Sequence, residues 1–434
     1  MPVISRFSCA VGLFLLLAGL CSCAGGNAPE RVVLGDERTE EYLPLLEEGR
    51  IAIFSNHSGI VGDIVDGVPS RIEPTEESVL EPFLPPSSPR LGKHILDLLI
   101  EKGVNVTAIF SPEHGFRGDA DAGEHVGSSV DPRTGVPILS LYEDGRLRPS
   151  DESMGMFDIL VVDIQDVGLR YYTYYVTMQR LLDACSEFGK KVVLLDRPNP
   201  NGFYVDGPVL DMGLRSGVGS LPITTVHGMT LGEMAGMMNG EGWLTDGRTC
   251  DLTVVPCLGY THATRYSLIL PPSPNLKDMK SVYLYASTCY FEGTKVSLGR
   301  GTSHPFEMYG HPDMTLQPYT FTPESVDGAK NPPLLGRECH GVDLTGKPLR
   351  EIWDEGINLG YVIDAYSNLT ASGSEDGGES FFLGNGFFNL LSGRLSIRED
   401  ILSGRTASQI KASWADDVAS FKERRKKYLL YPEE

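Results

Sequence analysis

The strongest constraint on the fold is an alternation of short apolar runs and amphipathic helical stripes in the first half of the chain. Five runs rich in β-branched residues fit strands that are buried on both faces, as in a parallel sheet. They cover residues 51–54, 106–110, 138–141, 159–162 and 192–195. Two helical stripes between them end at Gly103 and Gly189, and glycine commonly closes a helix. The alternation predicts a Rossmann-like, doubly wound α/β domain.

The second half of the chain has longer loops, in which glycine and proline are frequent. Because 434 residues exceed what one hydrophobic core usually supports, we expect two domains. We place a Rossmann-like α/β catalytic domain at residues 41–215 and a smaller α+β domain at residues 216–434, with a cleft between them. Within the second domain the pattern predicts a helix opened by a capping box at 230–233, strands at 253–255 and 282–285, and a closing amphipathic helix at 410–421.

Residues 74–89 contain five prolines among acidic and serine residues, a composition typical of a loop. This proline-rich insertion lies between the first predicted strand and the helix that follows it. The sequence leaves open whether the insertion covers a site or extends into solvent.

The first 22 residues differ in kind from the rest. Arg6 is their only charge, and residues 10–20 form an apolar run too short for a stable transmembrane helix. We therefore predict a secretory signal peptide at residues 1–22. The Leu-Cys-Ser-Cys sequence that ends at Cys23 resembles a bacterial lipobox, so we expect Cys23 to be lipidated and residues 23–40 to be a tether.

Such an N-terminus predicts an exported cell-envelope lipoprotein. We expect its lipid to hold it on the periplasmic face of a Gram-negative membrane. The alternative interpretation is a cleaved signal followed by an incidental cysteine.

Cysteine usage beyond Cys23 does not fit a disulfide framework or a cysteine-rich metal site. The number is odd, and no pair has the C-x-x-C spacing. We therefore expect buried free thiols. These cysteines are Cys185, Cys250, Cys257, Cys289 and Cys339.

Composition and motifs disfavour several partners and cofactors. The formal charge of −21 disfavours nucleic acid, because phosphates need a basic surface. No glycine-rich dinucleotide-binding or phosphate-binding motif is present, so we predict no nucleotide cofactor. A metal site is also disfavoured, since the histidines lack the spacing of a metal-binding helix. The residues considered for it are His57, His114 and His125 with Asp63 or Asp163.

Polar residues follow four of the five predicted strands. In an open parallel sheet, ligands bind outside the carboxyl ends of the strands, so these residues are candidates for a site. Prolines and glycines beside them favour positioned side chains over an ordinary polar rim. The candidates are Ser55, Asn56 and His57; Ser111, Glu113 and His114; Asp163, Gln165 and Asp166; and Asp196, Arg197 and Asn199.

Carboxyl groups are the most informative of these candidates, because glycosidic hydrolysis uses two acidic groups, or one together with a group of the substrate. Glu113 lies between Pro112 and His114 at a strand end, where a partly buried carboxyl can keep its proton and act as a general acid. Glu124 and Glu292 are further acidic candidates, although Glu124 fits a structural role equally well. A serine hydrolase is disfavoured because the chain has no G-x-S-x-G motif.

A tyrosine-rich segment at residues 171–175 follows the fourth predicted strand. It fits the packing of a helix start, and it also fits an aromatic platform beneath a sugar ring. In the second interpretation Tyr172 is a substrate contact.

Eight sequence blocks carry a resemblance to a known family. The most distinctive are Ser-Pro-Glu-His-Gly-Phe-Arg-Gly at 111–118 and Asp-Ile-Gln-Asp-Val-Gly at 163–168. The others lie at 196–202, 206–208, 227–230, 272–276, 291–294 and 299–302. In this order they resemble the bacterial exo-β-N-acetylmuramidases, long catalogued as a domain of unknown function. The resemblance implies hydrolysis of non-reducing-terminal N-acetylmuramic acid from peptidoglycan fragments by a Rossmann-like domain packed on a smaller C-terminal domain.

The resemblance also assigns individual positions. The motif residues are Glu113, His114, Glu292, Arg300 and Thr302. Because N-acetylmuramic acid carries a lactyl carboxylate, Arg300 or Arg170 is expected to bind it through paired hydrogen bonds. The proline-rich insertion is longer than expected for the family, which leaves the preferred substrate length open.

Two alternatives are compatible with the same residues. One is a non-catalytic lipoprotein that binds cell-wall sugars, and the other is a glycosidase for a different N-acetylated amino sugar. In each case the expected partners are peptidoglycan-derived muropeptides or disaccharides.

Overall fold

The computed structural model describes residues 31–69, 73–112, 116, 129–139, 141 and 148–434. Its strands are β1 (Ile51–Ser55), β2 (Ile64–Val65), β3 (Val68–Pro69), β4 (Val106–Phe110), β5 (Ser129–Val130), β6 (Pro137–Leu139), β7 (Ile159–Asp163), β8 (Lys191–Leu195), β9 (Asp251–Val255), β10 (Met308–His311), β11 (Tyr319–Phe321) and β12 (Cys339–Asp343). Its α-helices are α1 (Thr39–Leu46), α2 (Ile95–Glu101), α3 (Asp151–Gly155), α4 (Tyr174–Phe188), α5 (Leu231–Gly240), α6 (Met279–Thr288), α7 (Leu349–Glu355), α8 (Gly360–Ala371), α9 (Phe387–Ser392), α10 (Leu395–Leu402), α11 (Ala407–Ala412) and α12 (Ala415–Arg425).

The central sheet has seven strands in the order β5-β6-β4-β1-β7-β8-β9, and only the β5 pairing is antiparallel. Without the β5 edge this is the order of a doubly wound nucleotide-binding fold, in which the chain builds one half of the sheet and then returns to build the other. The five predicted strands are all present, and β1 and β7 are buried along their whole length. The predicted fold class is therefore confirmed.

The end of α4 and the start of α5 lie where their capping residues predict. Gly189 closes α4 in the left-handed region, with φ of 62°. At the start of α5, Thr230 accepts from the Glu233 backbone while the Glu233 carboxylate accepts from the Thr230 backbone. This reciprocal pair is a capping box, and it satisfies two donors that a helix start leaves free.

Two predictions of secondary structure in the second half are wrong. Residues 282–285 form part of helix α6 instead of a strand. All ten residues of α6 are buried, so the sequence shows no polar face, and the decisive signal is the Asp278 cap, which accepts from the Ser281 backbone at 2.8 Å. The predicted closing helix is broken into α11 and α12 at residues 413–414.

The second half combines a three-stranded antiparallel sheet, in the order β10-β12-β11, with helices α6 to α12. It is α+β, as predicted. Strand β9 nevertheless lies beyond the predicted boundary at residue 215 and completes the central sheet beside β8. One hydrophobic core cluster continues from the central sheet into the helices of the second half. No helix among the described residues is long and apolar enough to cross a membrane.

The proline-rich insertion is attached to the second half of the fold. The Phe83 and Leu84 amides donate to the backbone carbonyls of Lys277 and Ile269, at 2.8 and 3.2 Å. The Glu76 carboxylate accepts from the first amide of α7 at 2.8 Å. The insertion therefore packs as a strap against the second half of the chain.

The five predicted free cysteines are all buried thiols, as expected.

Candidate active site

The candidate site lies at the carboxyl edge of the central sheet, between β1 and β7. Strands added before β7 extend the sheet to one side of β1, and later strands extend it to the other, so this pair marks the switch point. Ser55 lies opposite Asp163 in the register of the pair. Open α/β sheets bind ligands in the crevice that forms at such a point. The structure thus brings the segments after these two strands together, as the strand-end rule predicts.

Two residues directly after β1 have different roles: Asn56 stabilises the turn, and His57 lines a cavity. The Asn56 amide donates to the Tyr174 hydroxyl at 2.9 Å, and its oxygen accepts from the Ser58 backbone and hydroxyl. His57 is buried with its Nε2 2.7 Å from the Pro271 carbonyl oxygen, and it lines a cavity of 710 Å³. The cavity is within the size range of ligand pockets. Asn56 therefore holds the turn, whereas His57 is positioned to meet a ligand.

The tyrosine-rich segment packs against a loop of the second half. The Tyr172 and Tyr174 hydroxyls both donate to the Pro272 carbonyl oxygen, the latter at 3.0 Å. Their rings make an edge-to-face contact with centroids 4.7 Å apart. Tyr172 is only 6 % exposed. The segment therefore serves packing, and the assignment of Tyr172 as a platform for a sugar ring is corrected.

Two buried oxygen atoms after β7 have no hydrogen-bond partner among the described residues. They are Gln165 Oε1 and Asp166 Oδ2. The Gln165 amide nitrogen is fixed by donating to two backbone carbonyls at 2.8 Å, and Asp166 Oδ1 accepts from the Gly168 amide at 2.7 Å. Burial raises the pKa of Asp166 to about 7. Asp166 therefore changes its charge near neutral pH, and perturbed carboxyls of this kind concentrate at functional sites.

The buried Asp166 carboxyl predicts a pH-dependent stability. Since folding raises its pKa, the folded state holds the proton more tightly, and stability is lost as pH rises from about 4 to about 7. Relative to Asp166→Asn, the wild type should lose about 1.4 kcal/mol of unfolding free energy per pH unit across this window. Urea unfolding from pH 4 to 8 measures the difference. Asp151→Asn, at a carboxyl that is 75 % exposed, should keep the wild-type slope, and an Asp166→Asn protein that also keeps it would refute the assignment.

The Arg197 side chain is the centre of a buried ionic cluster. Its guanidinium donates to Asp163 at 2.6 Å, to Asp63 at 2.9 Å and to Asp36 at 2.6 Å. All four side chains are 5 % exposed or less. Its described hydrogen bonds go to these three carboxylates and to the Ile60 carbonyl. Arg197 and Asp163 thus have a structural role in the described part of the chain, and their roles as substrate contacts stay predictions.

Two further predicted contacts also belong to the framework. Arg170 is fully buried, and its guanidinium donates to the carbonyls of Pro208 at 2.8 Å and Leu391 at 3.0 Å. It joins the two halves of the chain, and its role as a ligand of the substrate carboxylate stays a prediction. The Asn199 amide donates to the Met229 carbonyl at 2.9 Å. A strand-end position alone did not distinguish these residues from ligand contacts.

A second cavity, of 490 Å³, contains the predicted Glu292 and Arg300 in its lining. Arg300 donates through Nε and Nη2 to the same oxygen of Glu292, at 3.1 and 2.5 Å, and both side chains are about one-fifth exposed. Burial acts to lower the pKa of Arg300, but Glu292 outweighs it and the pKa is raised. Among the described residues, no hydrogen bond involves Arg300 Nη1 or the other Glu292 oxygen, so both atoms are available to a ligand. Thr302 instead closes a turn by donating to the Gly299 carbonyl at 2.7 Å.

A chain of aromatic rings connects the sheet edge to this cavity. The Tyr172 and Tyr285 ring centroids are 6.4 Å apart, and those of Tyr285 and Phe306 are 4.8 Å apart. The Arg300 guanidinium lies 5.0 Å from the Phe306 ring. The candidate residues of the two halves therefore belong to one continuous packed unit.

Four of the predicted functional residues lie outside the described residues: Glu113, His114, Glu124 and Cys23. Ser111 and Pro112, directly after β4, are described and are buried. Because β4 is the neighbour of β1, Ser111 and Pro112 lie at the candidate edge. The roles of Glu113, His114 and Glu124 stay predictions.

Family comparisons divide the chain into two matched parts. The N-terminal model of exo-β-N-acetylmuramidase NamZ matches residues 85–280, and the C-terminal model matches residues 283–431. Their junction falls in α6, later than the predicted boundary at 215.

Individual relatives agree with this match. The peptidoglycan β-N-acetylmuramidase NamZ of Bacillus subtilis (strain 168) is 38 % identical over 359 residues, covering 78 % of this chain and 83 % of that protein. Crystal structures of two DUF1343 family proteins from Bacteroides fragilis have the same fold. One is 53 % identical with a TM-score of 0.80, covering 93 % of this chain and all of the other. The second is 26 % identical with a TM-score of 0.72, covering 92 % and 99 %. The chain therefore belongs to the exo-β-N-acetylmuramidase NamZ family of glycoside hydrolases.

Proposed function

We propose that this protein removes N-acetylmuramic acid from the non-reducing end of peptidoglycan fragments, in the turnover and recycling of the cell wall. The observation that carries the proposal is the family match, which spans both halves of the chain. The site supports it, because a carboxyl-rich switch point and a cavity with an arginine are joined in one packed unit.

The proposed chemistry begins at Glu113. As a general acid it protonates the leaving oxygen of the glycosidic bond, with His114 tuning its pKa or contacting the sugar. The second group is a carboxylate or the acetamido group of the substrate. Glu292 is the proposed carboxylate from the second half, and Glu124 is a further candidate. Asp166, at the same sheet edge, has a pKa near 7, so its charge changes with pH close to neutrality.

Arg300 is the proposed ligand of the lactyl carboxylate, the group that distinguishes N-acetylmuramic acid from N-acetylglucosamine. Arg300→Ala should lower kcat/KM by about 10-fold to 100-fold, chiefly through KM, because a charge-assisted hydrogen bond contributes about 1.5–3 kcal/mol. Lys295 lines the same cavity but pairs with Asp376 at 3.5 Å, so Lys295→Ala is a matched control that should change KM little. An Arg300→Ala enzyme with unchanged preference for the muramic substrate would contradict this role.

The function is tested by incubating the purified protein with a disaccharide whose non-reducing sugar is N-acetylmuramic acid. Chromatography with mass detection should show the free sugar accumulating with time. Tight binding without release would favour the non-catalytic lipoprotein. Faster hydrolysis of an N-acetylglucosaminide would favour a glycosidase for another amino sugar.

We also propose that the protein is an exported lipoprotein, anchored through Cys23 on the periplasmic face of a Gram-negative membrane. The support is the short apolar run followed by the lipobox-like sequence. Mass spectrometry of the mature N-terminus should find a diacylglyceryl-modified Cys23. Cys23→Ser should release the protein from membranes, whereas Cys21→Ser should not. An unmodified mature terminus would overturn the anchor.

A further inference from the structure

Three side chains with metal-ligand chemistry converge away from the sheet edge. Asp278 caps α6, while His304 and Glu307 come from the loop that precedes β10. Each offers one ligand atom, and these atoms all lie within 4.8 Å of one another. An imidazole and two carboxylates from separate segments thus share one small volume.

The cluster contains buried polar atoms that lack partners. Glu307 is completely buried, and no N–H or hydroxyl donor among the described residues bonds to its carboxylate oxygens, which lie against the Asp278 carboxyl. His304 Nδ1 is likewise buried and unpaired, 3.4 Å from the nearer Glu307 oxygen. Leaving such atoms unpaired is costly and uncommon. The arrangement therefore calls for a group that all three atoms can bind at once.

Neighbouring lysines do not supply that group. Lys280 is close enough to lower the pKa of Glu307, but its ammonium donates to the Thr345 carbonyl at 2.5 Å and forms no described ion pair with the cluster. Lys277 donates to the Thr302 carbonyl at 3.0 Å. Without a cation, burial and the adjacent Asp278, with a smaller contribution from Asp343, raise the pKa of Glu307 to about 9.

We propose that Asp278, His304 and Glu307 form a structural binding site for a divalent cation of the zinc type. One imidazole and two carboxylates are ligands that Zn²⁺ accepts, whereas Ca²⁺ prefers oxygen ligands alone. Two carboxylates balance the charge of the ion, and water completes the coordination. The His304 side chain is 42 % exposed, which gives the ion a path from solvent.

The position of the site indicates a structural role for the cation. The loop from residue 299 to residue 307 carries Arg300, and its last residue is Glu307. A cation shared with Asp278 would fasten this loop to the start of α6. It would thereby hold Arg300 against Glu292 without taking part in hydrolysis. The inference stands on the cluster alone and does not depend on the proposed substrate.

The test uses the purified protein after treatment with a chelator and dialysis. Zn²⁺ is titrated in, bound metal is measured by mass spectrometry of the protein's metal content, and Tm is followed in parallel. About one Zn²⁺ per chain and a rise in Tm of a few degrees are expected, because the ion binds the folded state preferentially. Ca²⁺ should not reproduce the rise.

Two variants and one control make the result specific. His304→Gln and Glu307→Gln should each weaken Zn²⁺ binding at least 10-fold and abolish the rise in Tm. His340→Gln, at a partly buried histidine of β12 outside the cluster, should behave like the wild type. Wild-type protein that binds no Zn²⁺, or His304→Gln that binds it equally well, would overturn the proposal. If Glu307→Gln does not fold, His304→Gln decides the question, because its ring is partly exposed.

Discussion

We expect Arg197→Met to lower the free energy of unfolding by about 3–5 kcal/mol, because removing one partner of a buried ionic group leaves uncompensated charge. Arg197 is the only cation that contacts the Asp36, Asp63 and Asp163 carboxylates within the described contacts, and all four side chains are almost completely buried. Methionine keeps much of the volume of the side chain, so the loss reflects charge more than a cavity. Denaturant unfolding followed by tryptophan fluorescence measures the change.

The size of this loss should depend on pH. Burial already raises the pKa of Asp36 and of Asp63, and Arg197 opposes that rise. Without Arg197 the pKa values of both carboxyls rise further. As pH falls, they take up protons, which removes the uncompensated charge and restores part of the variant's stability. The deficit should therefore be smaller at pH 5 than at pH 8. Arg50→Met, at an exposed ion pair with Asp158, is the control and should leave the unfolding curve nearly unchanged. Equal behaviour of the two variants would refute the ionic cluster as a stabilising element.

The largest expected effect on activity is that of Glu113→Gln. Loss of a general acid typically lowers the rate by about 10²-fold to 10⁴-fold, since glutamine keeps the shape but holds no transferable proton. The fall should lie in kcat, with KM changed little, because ground-state contacts with the sugar remain. Release of N-acetylmuramic acid from the disaccharide measures both parameters.

Ser111→Ala provides the matched control for Glu113→Gln. Ser111 lies two residues away in the same motif, and its hydroxyl only donates to the Pro112 carbonyl at 3.3 Å. The alanine variant should retain most of the activity. Full activity in Glu113→Gln would remove Glu113 from the mechanism, and loss of activity in Ser111→Ala alone would revive a serine nucleophile.

The sequence predicted the central sheet well because buried parallel strands have a simple signature. Each strand is a short β-branched run, and the helical stripes that end at Gly103 and Gly189 separate two of the successive pairs. The failure at residues 282–285 has the opposite cause. Helix α6 is buried on all sides, so its apolar run carries no 3.6-residue period. The capping aspartate before it was the available signal.

The strand-end rule predicted which segments meet at the sheet edge, and the structure brings those after β1 and β7 together there. It did not predict the partners of Arg170 and Arg197, which lie far away in the chain. Asp36 is 161 residues from Arg197, and Leu391 is 221 residues from Arg170. Such distant pairings leave no local pattern in the sequence. Asp166 was among the strand-end residues, but only its burial reveals a pKa near 7.

The cluster of Asp278, His304 and Glu307 escaped prediction for a related reason. Its members come from a helix cap and from a loop, with no spacing that recurs in known metal motifs. The sequence around Asp278 indicates only a helix cap. A carboxylate has two oxygen atoms, so it can cap a helix and bind a second partner at the same time.

The strap formed by the proline-rich insertion limits how the two matched parts of the chain can separate. Its Phe83 and Leu84 amides donate to residues 277 and 269, which lie before the junction in α6, so these bonds do not cross between the parts. The Glu76 carboxylate accepts from the first amide of α7, which lies beyond the junction. Hinge opening between the two parts would therefore have to break this hydrogen bond.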